Sequence, residues 1–380
     1  MDNHNHEGRT CTEHDASIGS EMADGGNPTR VDSGRSRRKF LQLLAIAGAG
    51  AMLPAGVLRS QQGAAAGGKG RIDVHHHLLP PFYVDAMAAD IAASGRPVPK
   101  WSPEMSLDVM EKSGTATAML SPHFHLVTDS LSDKSERARM LARKHNEYAA
   151  QLVKDHPGRF GAFAAMPLPD QDGSLAEIAY AMDTLHLDGI GLWTSYRDQW
   201  PGDPAFAPAF EEMNRRKAVV FFHPSAPICC RKLIPGVAEN VEEYDFDTTR
   251  AITSLLSNGA FTKYPDIRFI FCHSGGTMPV IANRISEYFP AKTPDGAAAN
   301  GVRKELVNIY YDIAHAGYEP PLSALTKLGI STSHMLYGSD YPIFNPPVTI
   351  VPFEKYPFSP AEFQAINRGN AEKLFPRFKS

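Results

Sequence analysis

Apolar residues in this chain fall into short unbroken blocks. Longer stretches separate them, and there apolar positions recur every three or four residues. Eight blocks read as strands: Arg71–His75, Ala116–Ser121, Phe160–Met166, Gly189–Trp193, Ala218–His223, Arg268–His273, Asn308–Asp312 and Met335–Ser339. Most are continuous rather than alternating, as expected for parallel strands covered by helices. Helices fit between them. Asp133–Asp155 carries Met140, Leu141, Tyr148 and Leu152 at helical spacing. Pro204–Arg216, Thr248–Tyr264, Thr277–Phe289 and Pro320–Leu328 fill later gaps. A final helix opens with Ser359, Pro360 and Glu362 in the order of a capping box. Eight strand–helix units in about 300 residues predict an α/β fold, a (β/α)8 or TIM barrel. The alternative is an open doubly wound sheet, but no G-x-G-x-x-G follows a strand to support it.

Two segments interrupt the pattern. Leu78–Lys112 is long for one connection and is expected to form a small lid after strand 1. Tyr341–Ser359, rich in proline and aromatic residues, follows strand 8. Loops at the C-terminal ends of barrel strands carry the chemistry of this architecture, so both should border a substrate.

The chemistry-bearing residues fall at those ends. Strand 1 runs into His75-His76-His77, and alternate side chains of an extended strand share a face, so His75 and His77 can converge while His76 faces away. Strand 5 ends in His223-Pro224, strand 6 in His273-Ser274-Gly275-Gly276, and strand 8 runs through Gly338-Ser339-Asp340. Singly, each could be a turn or cap residue. A titratable side chain closing an apolar strand is unfavourable to bury alone, and four such ends at one barrel mouth point to a divalent-metal site. A second H-x-H, His123 and His125, follows strand 2 without a matching carboxylate and is placed at the rim. His145, His156, His186, His315 and His334 read as ordinary surface or helix residues.

Composition adds limits. The 380 residues are 43% hydrophobic and 21% charged, with a formal charge of −4, which fits a globular protein and gives nucleic-acid binding no electrostatic support. Cys11, Cys229, Cys230 and Cys272 make no disulfide framework. Residues 1–35 are polar and aperiodic. Ser36-Arg37-Arg38-Lys39-Phe40-Leu41 then precedes an apolar stretch ending near Leu58, the pattern of a twin-arginine export signal. Residues 1–70 are therefore read as signal region and linker, and 71–380 as the catalytic domain. The expectation is export to the periplasm or beyond by the twin-arginine machinery.

The motifs Asp73-Val-His-His-His-Leu-Leu-Pro80, Phe222-His223-Pro224, His273-Ser-Gly-Gly-Thr-Met-Pro279 and Tyr337-Gly-Ser-Asp-Tyr-Pro342 together resemble amidohydrolase family 2. That is the group of metal-dependent hydrolase-type barrels that includes aminocarboxymuconate-semialdehyde decarboxylase. Wording around His223-Pro-Ser-Ala-Pro227, Cys229-Cys230 and Phe246-Asp-Thr-Thr-Arg-Ala251 is similar to the 6-methylsalicylate-decarboxylase-like branch. The resemblance implies that His75, His77, His223 and Asp340 hold one divalent metal, with His273 beside it. It favours zinc, because manganese-using decarboxylases of the family have Glu in place of the first histidine. Manganese stays open. It also implies a homodimer as one assembly.

The expected activity is non-oxidative decarboxylation of an aromatic or unsaturated carboxylic acid, with His273 and Asp340 as proton carriers. The rivals are hydrolysis of a lactone or amide on the same site, and a non-catalytic binding protein. Phe82, His125, Trp193, Arg250 and Arg284 are candidates for contact with a small carboxylate substrate. Core packing, or for the arginines an inter-helix salt bridge, is the competing role.

Overall fold

The eight expected strands are all present in the computed structural model, which describes residues 70–94, 98–123, 136–289 and 298–379. They are β1 (Arg71–Leu78), β2 (Thr115–Pro122), β3 (Phe160–Ala165), β4 (Gly189–Trp193), β5 (Val219–His223), β6 (Arg268–Phe271), β7 (Tyr310–Asp312) and β8 (Met335–Leu336). All neighbours pair in parallel in sequence order. The ends of this sheet meet. Val74 N–H donates to the Tyr337 carbonyl at 2.9 Å, Asp340 N–H to the His75 carbonyl at 2.8 Å, and His77 N–H to the Tyr341 carbonyl at 2.7 Å. The protein is a TIM barrel. Twin-arginine residues 37–38, the linker and His125 lie outside the described residues. No described helix is long and apolar enough to cross a membrane.

Both faces of the strands are buried, which explains their unbroken apolar runs. One face lines the barrel interior: Ile72, Val74, Met119, Phe163, Val219, Phe221, Ile270, Cys272 and Leu336, joined by C-terminal Phe375 and Phe378. The other face, including Leu120, Ala162, Ile190, Val220, Phe222 and Phe271, packs under the helices. Strand β1 departs from simple alternation. Ile72 and Val74 point inward, so strict alternation would send His75 and His77 outward. The register against β2 shifts by one residue between Asp73 and His76, and this bulge turns both histidines inward.

The helices that matter below follow the expected pattern with shifted ends. The lid segment holds α1 (Pro81–Ala86), α2 (Ala88–Ser94) and α3 (Pro103–Ser113). Then come α4 (Glu136–Asp155) and α5 (Ala207–Arg215). The expected helix Thr248–Tyr264 is two: α6 (Glu243–Ser257) and α7 (Ala260–Lys263), separated where Gly259 adopts φ 72°. They are followed by α8 (Met278–Tyr288), α9 (Glu319–Leu328) and α10 (Pro347–Phe353). The capping box at Ser359 is formed, with Glu362 closing it.

The lid segment is tied to strand β1 through the middle histidine. His76 Nδ1 lies 3.1 Å from Asp73 Oδ2, its Nε2 lies 2.9 Å from Ser106 Oγ of α3, and Trp101 Nε1–H donates to the same hydroxyl. His76 thus faces away from the cluster of its two neighbours, as expected. His145 is no surface residue. It is fully buried on α4, edge-on to Tyr83 of α1 with ring centroids 5.0 Å apart.

Burial lowers the His145 pKa from 6.5 to about 4, so the fold accepts its neutral form. Between those two values the unfolded chain binds a proton that the folded chain does not. Stability should therefore fall as pH drops from about 6.5 to about 4, by up to about 3 kcal/mol from this group, and level off below. Urea midpoints measured against pH should show that acid limb in the parent and a flatter one in His145→Leu.

Candidate metal centre

Four side chains from three strand ends converge inside the mouth. His75 and His77 come from β1, His223 from the last position of β5, and Asp340 from the turn after β8. One donor atom from each lies within 4.8 Å of the others. Alternation on β5 explains His223, because Val219 and Phe221 already face the interior and the next inward position is 223. Asp340 is aimed by backbone rather than alternation. It takes a left-handed conformation, φ 61°, as do His273 (52°), Ser274 (57°) and His315 (49°). Such conformations cost free energy in non-glycine residues and tend to gather where a site demands them.

Each imidazole is oriented by a bond to its far nitrogen. His75 Nδ1 is 3.0 Å from Asp312 Oδ2, His77 Nδ1 is 3.2 Å from Ser121 Oγ, and His223 Nδ1 is 2.9 Å from the Pro224 carbonyl. That leaves the Nε2 side of each ring for the cluster. His77 Nε2 is 2.9 Å from Asp340 Oδ1. His75 Nε2 makes no hydrogen bond, although Asp340 Oδ1 is 3.3 Å away. A buried imidazole nitrogen without a partner, facing two more imidazoles and a carboxylate, is what a divalent cation would satisfy. Three nitrogens and one oxygen fit such an ion, and the residues present therefore fit the expected metal.

The electrostatics point the same way. Burial lowers His77, and burial with the neighbouring His77 and His75 rings holds His223 well below its ordinary value. Both are neutral ligands at neutral pH. Burial also pulls His75 down, but Asp312, Cys272 and Asp340 outweigh it and hold that ring well above its ordinary value. Burial alone would raise Asp340. The charge of His75, first, and the closeness of His273 and His77 overcome that and keep the carboxyl well below its usual range. The carboxylates favour positive charge at His75, while the other two rings stay neutral.

His273 stands beside the four. Its ring stacks on His75 with centroids 5.2 Å apart, and its Nε2 is 3.6 Å from Asp340 Oδ2. Asp312 accepts the His273 backbone N–H and also holds His75, so one carboxylate serves both. Asp312 was not singled out from sequence, although Tyr310-Tyr311-Asp312 ends a strand just as His223 does. Two further histidines border the site. His123 lies 4.6 Å from His77 between ring centroids, matching its rim placement. His315 is not an ordinary surface residue. It stacks on Phe344 at 3.8 Å in the loop after β7 and feels the charges of His273 and Asp340.

The candidate substrate contacts separate. Trp193 stands edge-on to His223 with centroids 5.2 Å apart. Phe82 is in contact with Tyr148 and Lys144 of α4. Arg250 pairs at 3.3 Å with Glu243 of its own helix α6, so its salt bridge lies within one helix rather than between two. Arg284 is exposed on α8.

A family model described as amidohydrolase matches residues 72–377. The chain belongs to the amidohydrolase family. Among curated relatives, this amidohydrolase is 36% identical to decarboxylase yanB of Aspergillus niger over 329 residues, covering 81% of this chain and 88% of that one. It is 33% identical to 6-methylsalicylic acid decarboxylase acuB of Aspergillus aculeatus over 329 residues, 81% and 97% of the two chains. In fold it is similar to a solved amidohydrolase II (TM-score 0.73, 25% identity, 80% and 99% covered). It is also similar to a manganese-bound dihydroxybenzoic acid decarboxylase from Polaromonas with the inhibitor 2-nitroresorcinol (TM-score 0.69, 21% identity, 82% and 98% covered).

Replacing a carboxylate that orients a metal-binding imidazole typically costs about 10- to 100-fold in affinity. Asp312→Asn should weaken divalent-metal binding by that order, measured by competition with a chromogenic chelator, while far-UV circular dichroism stays that of the parent.

Proposed function

We propose that this amidohydrolase is a metal-dependent, non-oxidative decarboxylase of an aromatic carboxylic acid, of the hydroxybenzoate or 6-methylsalicylate class. The observation that carries it is the cluster of three imidazoles and one carboxylate, with a fifth group, His273, placed to move a proton at its edge. The relatives named above supply the reaction class.

A bound divalent cation would act as a Lewis acid, polarising the substrate's carboxylate and adjacent hydroxyl oxygens. The chain's own residues do the rest. His75, His77, His223 and Asp340 hold the charge in place. Asp340 stays ionised, so it serves as a ligand and as a counter-charge rather than a proton donor. His273 delivers a proton from Nε2 to the ring carbon that bears the carboxylate. The carbon–carbon bond then breaks. Its electron pair restores the aromatic ring, CO2 departs, and His273 regains a proton from solvent. Trp193, edge-on to His223, offers a flat apolar wall against which an aromatic ring can lie.

Zinc is the cation this reading favours, on the strength of three imidazoles in the ligand set. Export by the twin-arginine route is proposed on Arg37-Arg38 and the apolar stretch beyond them. Fractionation of cells making the full chain tests that, with accumulation in the cytoplasm alone as the contrary result.

The protein loaded with zinc or manganese should release CO2 from 6-methylsalicylate or 2,6-dihydroxybenzoate, and the chelated protein should not. Release of acid from lactones or amides, without CO2 from either benzoate, would instead mark a hydrolase. His273→Asn keeps a residue tolerant of the left-handed backbone. It should lower kcat by about 10²- to 10⁴-fold at unchanged metal content, measured by elemental analysis and CO2 release.

A further inference from the structure

Among the buried acids outside this machinery, one stands beside it. Asp247 on α6 is fully buried, and its bonds go to the loops after β4 and β5 rather than to the cluster. Its Oδ2 accepts the Thr194 hydroxyl at 2.5 Å and the Ser195 hydroxyl at 2.8 Å, with the Ser225 hydroxyl at 3.4 Å. Its Oδ1 accepts the Trp200 indole N–H at 2.7 Å. Arg250 approaches only to 4.0 Å. A carboxylate this deep is costly to bury, and here donors from two separate loops offset that cost.

The direction of these bonds is fixed. Ser225 N–H donates to Thr194 Oγ1 at 3.0 Å, so the single Thr194 hydroxyl proton is left to point at Asp247. Thr194 N–H in turn donates to the His223 carbonyl at 3.0 Å. Pro224 has no N–H, so Ser225 is the next backbone donor after His223, and it is the one tied down. Thr194 also directly follows Trp193, the wall beside His223. Asp247 therefore holds, through one threonine, the backbone just after a metal-binding imidazole, and it anchors the residues just after the aromatic ring next to it.

We infer that Asp247 is a positioning residue: it sets the orientation of His223 toward the metal and of Trp193 toward substrate, through Thr194, Ser195 and Ser225. The inference rests on the reading of His75, His77, His223 and Asp340 as metal ligands. Had Asp247 a merely structural role, its loss would lower stability without changing metal affinity at a temperature where the protein is folded.

The test measures zinc affinity of the full chain by chelator competition, alongside far-UV circular dichroism and Tm. Asp247→Ala and Thr194→Val should each bind zinc about 10-fold or more weakly than the parent. At saturating zinc, kcat should fall more than KM rises. Thr194→Val keeps the shape of the side chain and serves if Asp247→Ala does not fold. Leu325→Ala, in the outer layer of the barrel, supplies a comparable loss of stability far from the mouth. Parent-like zinc affinity in both Asp247→Ala and Thr194→Val would overturn the proposal, and so would an equal loss of affinity in Leu325→Ala. His77→Ala tests the underlying reading separately. If it binds zinc like the parent, the metal assignment falls first and this inference with it.

Discussion

The bonds that close the barrel also build the site. β1 is joined to the stretch after β8 by Val74 to Tyr337, Asp340 to His75 and His77 to Tyr341. Asp73 adds a second layer, accepting both the backbone N–H and the hydroxyl of Ser339 at 2.9 and 2.6 Å. Each such bond contributes only about 1 kcal/mol net. Together they decide the register, and the register decides which side chain of 337–341 faces His75 and His77. Gly338 shows how tight this seam is, since a Cβ there would sit 2.8 Å from the His75 Cβ. A slip of one residue would leave the barrel open and remove the carboxylate from its histidines in the same step.

That coupling explains the strain at Asp340. Its left-handed backbone is unfavourable for a residue with a side chain, but its N–H is held by His75 and its carbonyl accepts from Ile343 and Phe344. The carboxylate also carries electrostatic weight. Three imidazoles buried within one pocket would each rather be neutral, and two of them are. Asp312 and Asp340 reverse the preference at His75 from opposite sides. Two buried carboxylates against one cationic ring cannot all be satisfied by hydrogen bonds, since the His75 Nε2 stays unpaired. A divalent ion bonded to that nitrogen in place of its proton would balance both carboxylates and satisfy the unpaired nitrogen.

The sequence made the architecture legible because parallel strands bury both faces and so appear as unbroken apolar blocks. The ends were less legible. β8 has only Met335 and Leu336 in the ladder, because Tyr337–Asp340 turns away to meet β1. The metal ligands were found because a polar residue closing an apolar block is conspicuous. Asp312 closes its block in the same way and was overlooked, since two tyrosines made Tyr310–Asp312 look less apolar. The bulge at Asp73–His76 could not be read, because it depends on how β2 aligns beside β1. Asp247 was hidden for another reason. Its partners are one tryptophan, one threonine and two serines, residue types that occur in any loop, and only the fold brings 194, 195, 200 and 225 to one helix.

The division between scaffold and rim follows from these contacts. The four donors depend on strand register and a closed seam. The aromatic rings around the cluster come from strand ends, one helix and the loops beyond them. Trp193, His123 and Tyr244 each approach His223, from the end of β4, the residue after β2 and α6 respectively. The His315–Phe344 stack stands across the mouth on the loops after β7 and β8. None of these rings is among the four candidate donors. Selection among aromatic acids therefore falls to the rim, whereas capacity for the reaction is written in the register of eight strands. A substitution on the rim should alter which acid is taken before it alters whether any acid is.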